Sequence, residues 1–333
     1  MSSPLRVGIN GFGRIGRAAF KIIFETPALE VVGINDLISN ENLAYLLKYD
    51  TVYGRYPHSV NYTDDTLQIG SQSFPVTHLK DPAELPWEEL QVDVVLECTG
   101  VFTKRADLEK HLQAGAKRVM LSAPTKSEEI LTVVHGSSQN DSDDRIISCA
   151  SCTTNCITPV IEIIGRRIGL KKATLTTLHA YTSTQSIVDG PNKKMRRGRA
   201  AAANFVPTST GAAIATTKAL PQYEGKFDGV AIRAPIPVGS IADIVILTKR
   251  ATSAAEVNNI FREEAESDRY RGVLGVTDEP LVSSDIVQDS RASIIDLEMT
   301  QVVDGDLLKV MSWYDNEWGY ANQMVRQAAS WAR

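Results

Sequence analysis

The run GFGRIG at residues 11–16 constrains the fold more than any other feature, because of what flanks it. Before it, LRVGIN (5–10) is a short apolar run that reads as a buried strand. After it, RIGRAAFKIIFE (14–25) carries an apolar stripe at helical spacing. A second strand, LEVVGIND (29–36), closes on Asp36. Glycines at a strand–helix junction, with an acidic residue about 20 positions further on, form the dinucleotide-binding fingerprint. Each member has a physical task. Gly11 makes the tight turn, Gly13 lets backbone approach a pyrophosphate, and Gly16 lets the helix pack closely on the strand. The helix N-terminus then faces the diphosphate. A carboxylate at Asp36 hydrogen-bonds a ribose 2′-hydroxyl and repels a 2′-phosphate, so NAD is the expected cofactor rather than NADP.

The same grammar continues through the first half of the chain. VDVVLEC (92–98) reads as a strand, KRADLEKHLQAGA (104–116) as a helix, and KRVMLSAP (117–124) as a strand. TVVHGSS (132–138) and RIISCAS (145–151) read as the last strands of this unit. Such alternation implies a parallel sheet with helices on its faces. Beyond a helical run from Cys152 to about Ile168 the pattern changes. Longer strands follow at KATLTTLHAYT (172–182), GVAIRAPIP (229–237) and ADIVILTKR (242–250), with a helix at AAEVNNIFREEAE (254–266). In ASIIDLEMTQVVDGDLLKVMSWYD (292–315) an Asp304-Gly305 pair between apolar runs signals a hairpin. The expected fold is therefore α/β. A Rossmann-type domain with a mostly parallel sheet spans 1–151, and an α+β catalytic domain with a largely antiparallel sheet spans 152–317. A last helix within 318–333 (ANQMVRQAASWA) returns to the first domain.

Composition narrows the function. With 35 basic and 40 acidic residues the formal charge is −5, which argues against nucleic acid as the main partner. No apolar run approaches the roughly 20 residues needed to span a bilayer. The N-terminus, MSSPLRVGIN, has neither the basic and apolar regions of a signal peptide nor an Arg-rich transit pattern. The four cysteines are too few and too unevenly placed for a disulfide framework, so a reducing cytoplasm is expected.

Three of those cysteines fall in SCASCTTNC (148–156). A structural zinc site wants a second cysteine pair at recognisable spacing, and none exists. A redox C-x-x-C belongs to a thioredoxin-like setting rather than a dinucleotide fold. No metal is expected. Cys152 lies where a strand gives way to a helix, with Ser151, Thr153, Thr154 and Asn155 available for capping and anion contact. A helix N-terminus favours the thiolate, and a nearby imidazole favours it further. Cys149 sits on the preceding strand, Cys156 one turn inside the helix, and Cys98 at the end of a buried strand; these read as packing residues. Of the five histidines only His179, in TLHAYT, stands among hydroxyls that could also serve a substrate. The residues therefore point to Cys152 as nucleophile and His179 as its base.

INGFGRIGR, ASCTTNC, HAYT, PTSTGAA and SWYDNEWGY occur in that order, and the chain resembles the phosphorylating glyceraldehyde-3-phosphate dehydrogenases essentially from residue 5 to 330. The resemblance implies a homotetramer with a C-terminal helix docking back on the first domain. It implies that Thr182 and Arg233 hold the substrate's phosphate. Ser151, Thr153, Thr210 and Gly211, with Arg196 or a neighbour, would hold the attacking inorganic phosphate. Arg14 and Ile15 match the diphosphate turn, and Thr99, Gly100 and Ser122 the cofactor cleft. Asn316 resembles the residue that hydrogen-bonds the nicotinamide carboxamide, and Tyr320 the ring beside it. Pro191 and Leu37 match the NAD-using pattern. NKKMRRGR (192–199), by itself a solvated basic loop, matches a segment lying between subunits in this family. The chain departs from the family pattern at Cys149, where asparagine is common, and in APIPVGS after Arg233.

The implied reaction is oxidation of D-glyceraldehyde 3-phosphate to 1,3-bisphosphoglycerate through a thiohemiacetal and a thioester on Cys152. The partners are then a phosphorylated aldehyde and inorganic phosphate. An erythrose-4-phosphate dehydrogenase, which releases 4-phosphoerythronate by hydrolysis, shares the cysteine, histidine and cofactor motifs. A catalytically silent NAD- or RNA-binding protein on the same fold is the alternative from another class.

Overall fold

The computed structural model describes residues 3–138 and 144–332. The chain divides into two compact units. One comprises Met1–Val133, Asn140–Ala150 and Met324–Arg333, and the other Val134–Gln139 and Ser151–Gln323.

The first unit opens as its sequence pattern requires, with β1 (Leu5–Asn10), α1 (Arg14–Phe24) and β2 (Leu29–Asn35). It continues with α2 (Asn40–Lys48), a two-residue hairpin of β3 (Tyr49–Asp50) and β4 (Gly54–Arg55), and a meander of β5 (Val60–Tyr62), β6 (Thr66–Ile69) and β7 (Gln72–Thr77). Then come β8 (Val94–Glu97), α3 (Arg105–Gln113), β9 (Arg118–Leu121), β10 (Leu131–Thr132) and β11 (Ile146–Ser148). The sheet order is β10-β11-β9-β8-β1-β2-β7-β6-β5. Every pairing from β10 to β7 is parallel, and only the β5–β6–β7 edge is antiparallel. Val7, Ile9, Val94, Val95 and Leu96 have no exposed surface, as expected of strands covered on both faces. The strand order reverses between β1 and β8, which makes the C-terminal ends of these strands the place for a ligand. One expected strand fails. Of TVVHGSS only Thr132 is in a strand, and 135–137 form a turn around Gly136 at φ 75°.

The second unit begins with α4 (Cys152–Arg167) and β12 (Leu170–Ala180). It proceeds through β13 (Val206–Ser209), α5 (Ala212–Ala219), β14 (Phe227–Ala234), β15 (Ser240–Thr248), α6 (Ala254–Ala265), β16 (Leu274–Thr277), β17 (Ser293–Val303) and β18 (Leu307–Tyr314). Its sheet runs β13-β14-β12-β15-β18-β17-β16. The sheet is mixed: β12–β14 and β16–β17 are parallel, and the other pairings are antiparallel. The β17–β18 hairpin turns through Asp304 and Gly305, both left-handed at φ 48° and 76°, as an Asp-Gly pair allows. Ile157, Val160, Ile161, Ile163 and Ile164 of α4 are fully buried against the sheet. At roughly 1.5–3 kcal/mol each, they anchor the helix whose first residue is Cys152. The last helix, α7 (Trp318–Ala329), starts in the second unit and ends in the first.

Candidate active site

The glycine turn of the first unit has the tight geometry its sequence predicts. Gly11 sits at φ 92°, and a Cβ on Gly16 would lie 2.1 Å from the Gly11 carbonyl oxygen. A Cβ on Gly13 would meet nothing within 4 Å; the space beside it belongs to a cleft of about 460 Å³. Asn10, Gly11, Gly13, Asp36 and Thr99 line this cleft together with the apolar Leu37, Leu79, Val101 and Phe102. Asp36 follows β2 and accepts from the N–H of Phe12 (2.7 Å) and of Ile38 (3.2 Å). Each carboxylate oxygen keeps acceptor capacity for a ribose hydroxyl. An open glycine, an acidic rim and an apolar wall fit an adenine dinucleotide. Arg14 and Ile15 begin α1, and the Arg14 guanidinium pairs with Asp50 over the Tyr53 ring. Ser122 closes β9, and Gly100 turns at φ 71°. Cys98 lines the cleft, and burial pushes its thiol up to about 12.

Beneath the cleft lies a polar cluster that no sequence motif announces. The fully buried Glu97 accepts from Thr99 N–H (2.8 Å) and the Thr99 hydroxyl at Oε1, and from Asn10 Nδ2 (2.6 Å) at Oε2. His111 Nε2 lies 3.1 Å from the same Oε2, and its Nδ1 accepts from Trp87 Nε1 at 3.0 Å. An indole N–H only donates, so the His111 proton resides on Nε2.

The second unit brings the candidate nucleophile and base together. Ser151 caps α4, its Oγ accepting from Thr154 N–H at 3.2 Å, and Ala150 just before it is left-handed at φ 56°. A non-glycine residue there is strained by about 1–3 kcal/mol, as is common next to functional side chains. Cys152 Sγ, at the first position of the helix, lies 3.2 Å from Nε2 of His179. His179 is the penultimate residue of β12, and its register partner on the parallel β14 is Arg233. That register brings the Arg233 guanidinium to 2.8 Å from His179 Nδ1. Tyr314, at the end of β18, spans the floor: its hydroxyl is 2.9 Å from those of both Thr153 and Thr177, and its ring packs edge-on against His179.

Burial dominates the electrostatics. It raises the Cys152 thiol above its ordinary value, while the Arg233 charge and hydrogen bonds from Thr153 work the other way. Burial and then Arg233 push the His179 imidazole down to about 3, so the ring is neutral. Cys156 is pushed up to about 12 and Cys149 further, both by burial. Those two side chains are buried, and Cys152 is the partly exposed one of the three.

The anion-binding candidates group less tightly. Thr182 is 2.9 Å from Thr184 through their hydroxyls, and Arg197 bridges Thr184 (3.2 Å) and Thr208 (3.0 Å). Arg197, rather than the exposed Arg196, is the basic-loop residue whose charge reaches His179 and Arg233. Thr210 and Gly211 stand at the start of α5, where the Thr210 hydroxyl accepts from Ala212 N–H at 3.2 Å. The oxygen of Asn316 accepts from Gly239 N–H (3.2 Å) and the Ser240 hydroxyl (3.0 Å), which leaves its amide nitrogen as the outward-acting donor. Tyr320 is buried in α7.

A dinucleotide cleft in one unit and a thiol held against an imidazole and a guanidinium in the other are the equipment of a nicotinamide-dependent aldehyde dehydrogenase. Comparison with known proteins narrows the class. Residues 5–105 match the glyceraldehyde 3-phosphate dehydrogenase NAD-binding domain, and residues 151–316 match the C-terminal domain of the same enzymes. Proteins named glyceraldehyde-3-phosphate dehydrogenase are similar over nearly the whole length. The one from Streptomyces coelicolor is 47% identical over 325 residues, 96% of each chain, and that of Mycobacterium tuberculosis is 48% identical over 330 residues, 96% of each. The Zymomonas mobilis protein is 45% identical over 333 residues, 99% of each. The chain belongs to the glyceraldehyde-3-phosphate dehydrogenase family and is an NAD-dependent oxidoreductase.

Proposed function

We propose that this enzyme carries out the NAD-dependent oxidative phosphorylation of D-glyceraldehyde 3-phosphate to 1,3-bisphosphoglycerate, with Cys152 as nucleophile and His179 as general base. The observation that carries the reading is the 3.2 Å approach of Cys152 Sγ to His179 Nε2 at a capped helix N-terminus, with Arg233 alongside. Cys152 Sγ adds to the aldehyde carbon as its thiol proton passes by way of His179 to the carbonyl oxygen, which gives a thiohemiacetal. His179 takes the hydroxyl proton at Nε2 as the carbon is oxidised, which leaves a thioester. When bound, NAD would supply the hydride acceptor; the Gly11–Gly16 turn, Asp36 and the Thr99–Gly100 turn would hold it, and Asn316 would donate to the carboxamide. Inorganic phosphate then displaces the thiolate, forming the acyl phosphate and returning Cys152. Arg233 and Thr182 hold the substrate's phosphate. Ser151, Thr153, Thr210 and Gly211 hold the attacking one, with Arg197 the better-placed arginine.

We also infer a homotetramer in a reducing, cytoplasmic compartment. Leu178 and Val230 are exposed on the outer face of the second sheet, and Ile187, Met195 and Phe205, before, on and after the basic segment, are 86%, 88% and 68% exposed. The four cysteines are free.

The deciding assay is NADH absorbance with glyceraldehyde 3-phosphate, with and without inorganic phosphate, before and after thiol alkylation and in C152S. Phosphate-dependent turnover that both treatments abolish supports the proposal. Turnover indifferent to phosphate moves the assignment to a hydrolysing dehydrogenase, with erythrose 4-phosphate the next substrate. Normal turnover in C152S ends the cysteine mechanism.

A further inference from the structure

The segment APIPVGS (234–240), where the chain departs from the family pattern, ends on two residues that hold the side chain of Asn316. Gly239 is left-handed at φ 91°, and a Cβ there would lie 2.2 Å from the Ser283 carbonyl oxygen, so only glycine fits. Its N–H donates to Asn316 Oδ1 at 3.2 Å. Ser240 opens β15, which lies between β12 and β18 in the sheet. From that place its hydroxyl reaches to both sides. Ser240 Oγ accepts from Ala180 N–H, just beyond His179, at 3.1 Å and lies 3.0 Å from Asn316 Oδ1. Ser240 and Asn316 are both buried.

The partners fix every proton in this chain of bonds. A backbone N–H can only donate, so the Asn316 atom that meets Gly239 is the oxygen. The Ser240 hydroxyl meets the same oxygen and gives its one proton there, while it accepts from Ala180. A carbonyl oxygen has two lone pairs, and Asn316 Oδ1 uses both. Turning the amide over would point its NH₂ at the Gly239 N–H, donor against donor. The backbone is held as firmly. Asp315 Oδ1 accepts from Glu317 N–H and Trp318 N–H at 2.8 Å, and its Oδ2 accepts from Gln288 N–H at 2.8 Å. What remains is Asn316 Nδ2, which has no partner among the described residues.

We propose that Gly239 and Ser240 clamp Asn316 as a donor only, so that the enzyme reads the carboxamide of the cofactor's pyridinium ring through its carbonyl oxygen and not through its NH₂. Ser240 is then a positioning residue that acts through Asn316. A carboxamide offers a donor and an acceptor, and a free asparagine amide could meet it either way round. The clamp leaves one way. The donor is also set before the cofactor arrives, so ordering it takes nothing from the binding energy. This rests on the assignment of Asn316 as the group that meets the carboxamide, and the test separates the two claims without measuring turnover.

The test is calorimetric binding of two dinucleotides to the full-length enzyme and to N316A, S240A and the double variant. One is NAD. The other is 3-acetylpyridine adenine dinucleotide, which keeps the carbonyl oxygen and carries a methyl group in place of the NH₂. N316A should weaken both by the same factor, roughly tenfold. S240A should weaken NAD by roughly threefold to tenfold in the parent and by less than about twofold in N316A. A loss in N316A that is several-fold larger for NAD than for the acetyl compound overturns the proposal, because Asn316 then also meets the NH₂. An S240A enzyme that binds NAD like the parent, or one whose loss is the same with and without Asn316, overturns the positioning role. Unchanged NAD binding in N316A ends the carboxamide assignment itself, and the proposal with it. Should S240A not fold, the comparison of the two dinucleotides on N316A decides, since it leaves Ser240 in place.

Discussion

Replacing Glu97 by glutamine tests whether the floor of the cofactor cleft is held by one carboxylate. Glu97 offers four acceptances on two oxygens, two to Thr99 on one side and one each to Asn10 and His111 on the other. A glutamine has a single oxygen. Turned toward Thr99, its NH₂ faces Asn10 Nδ2 and His111 Nε2–H. Asn10 cannot flip to adapt, because its oxygen accepts from Asn35 Nδ2 at 2.8 Å. His111 cannot change tautomer, because Trp87 donates to its Nδ1. Two buried donors are left facing donors, each costing about 1–3 kcal/mol. Removing a buried charge returns part of that, so the net loss is about 2–4 kcal/mol. For a chain of 333 residues the midpoint should fall by roughly 3–6 °C, and NAD affinity should fall too, since Asn10 and Thr99 line the cleft.

The assay is thermal and urea unfolding of E97Q, repeated in a W87F background. Without the indole donor His111 can move its proton to Nδ1 and accept from the glutamine. E97Q should therefore cost about 1–2 kcal/mol less in W87F than in the parent, a coupling well inside the range that contacting residues give. An equal cost in both backgrounds would refute the fixed tautomer, and an unchanged midpoint in E97Q would refute the whole network.

A second stability effect is pH-dependent. Burial works to raise the Glu264 carboxyl, but hydrogen bonds and charges from Arg166 and Arg167 outweigh it and hold the group below its ordinary value. A depressed carboxyl contributes stability that is complete above its unfolded pKa, about 4.3, and lost as pH falls through the folded value. E264Q should cost about 1–3 kcal/mol at pH 7, discounted for the part-exposed arginines, and much less at pH 3; a deficit independent of pH in urea titrations would contradict this. For self-association, M195E placed on the exposed segment should shift sedimentation from tetramer towards smaller species, and a parent enzyme that sediments as a monomer at all concentrations would remove the tetramer inference.

The sequence is most legible where a short stretch of backbone decides its own conformation. The glycine turn can be read because Gly11 needs a positive φ and Gly16 tolerates no Cβ. The position of Cys152 can be read because its cap, Ser151, is adjacent. The meander of β5 to β7 cannot, since its short edge strands carry no long periodic pattern. TVVHGSS departs from its expected strand because the glycine that turns the chain outweighs an apolar start. Within the basic loop a short 3₁₀ turn (Met195–Gly198) presents Arg197 rather than Arg196 to the threonines, a choice one residue wide that charge density does not encode.

Partners separated along the chain obey a different rule. Tyr314 meets Thr153 across 161 residues, and Glu97 meets Asn10 across 87; neither spacing leaves a local trace. His179 and Arg233 carry the chemical consequence of this. In the sequence each stands alone, the histidine marked by its hydroxyl-rich neighbours and the arginine by resemblance, and each has a separate task. The parallel register of β12 on β14 makes them one unit, because it sets the Arg233 guanidinium 2.8 Å from a ring nitrogen of His179. Strand register, which no motif records, thus brings to one ring nitrogen the two residues proposed as base and as phosphate anchor.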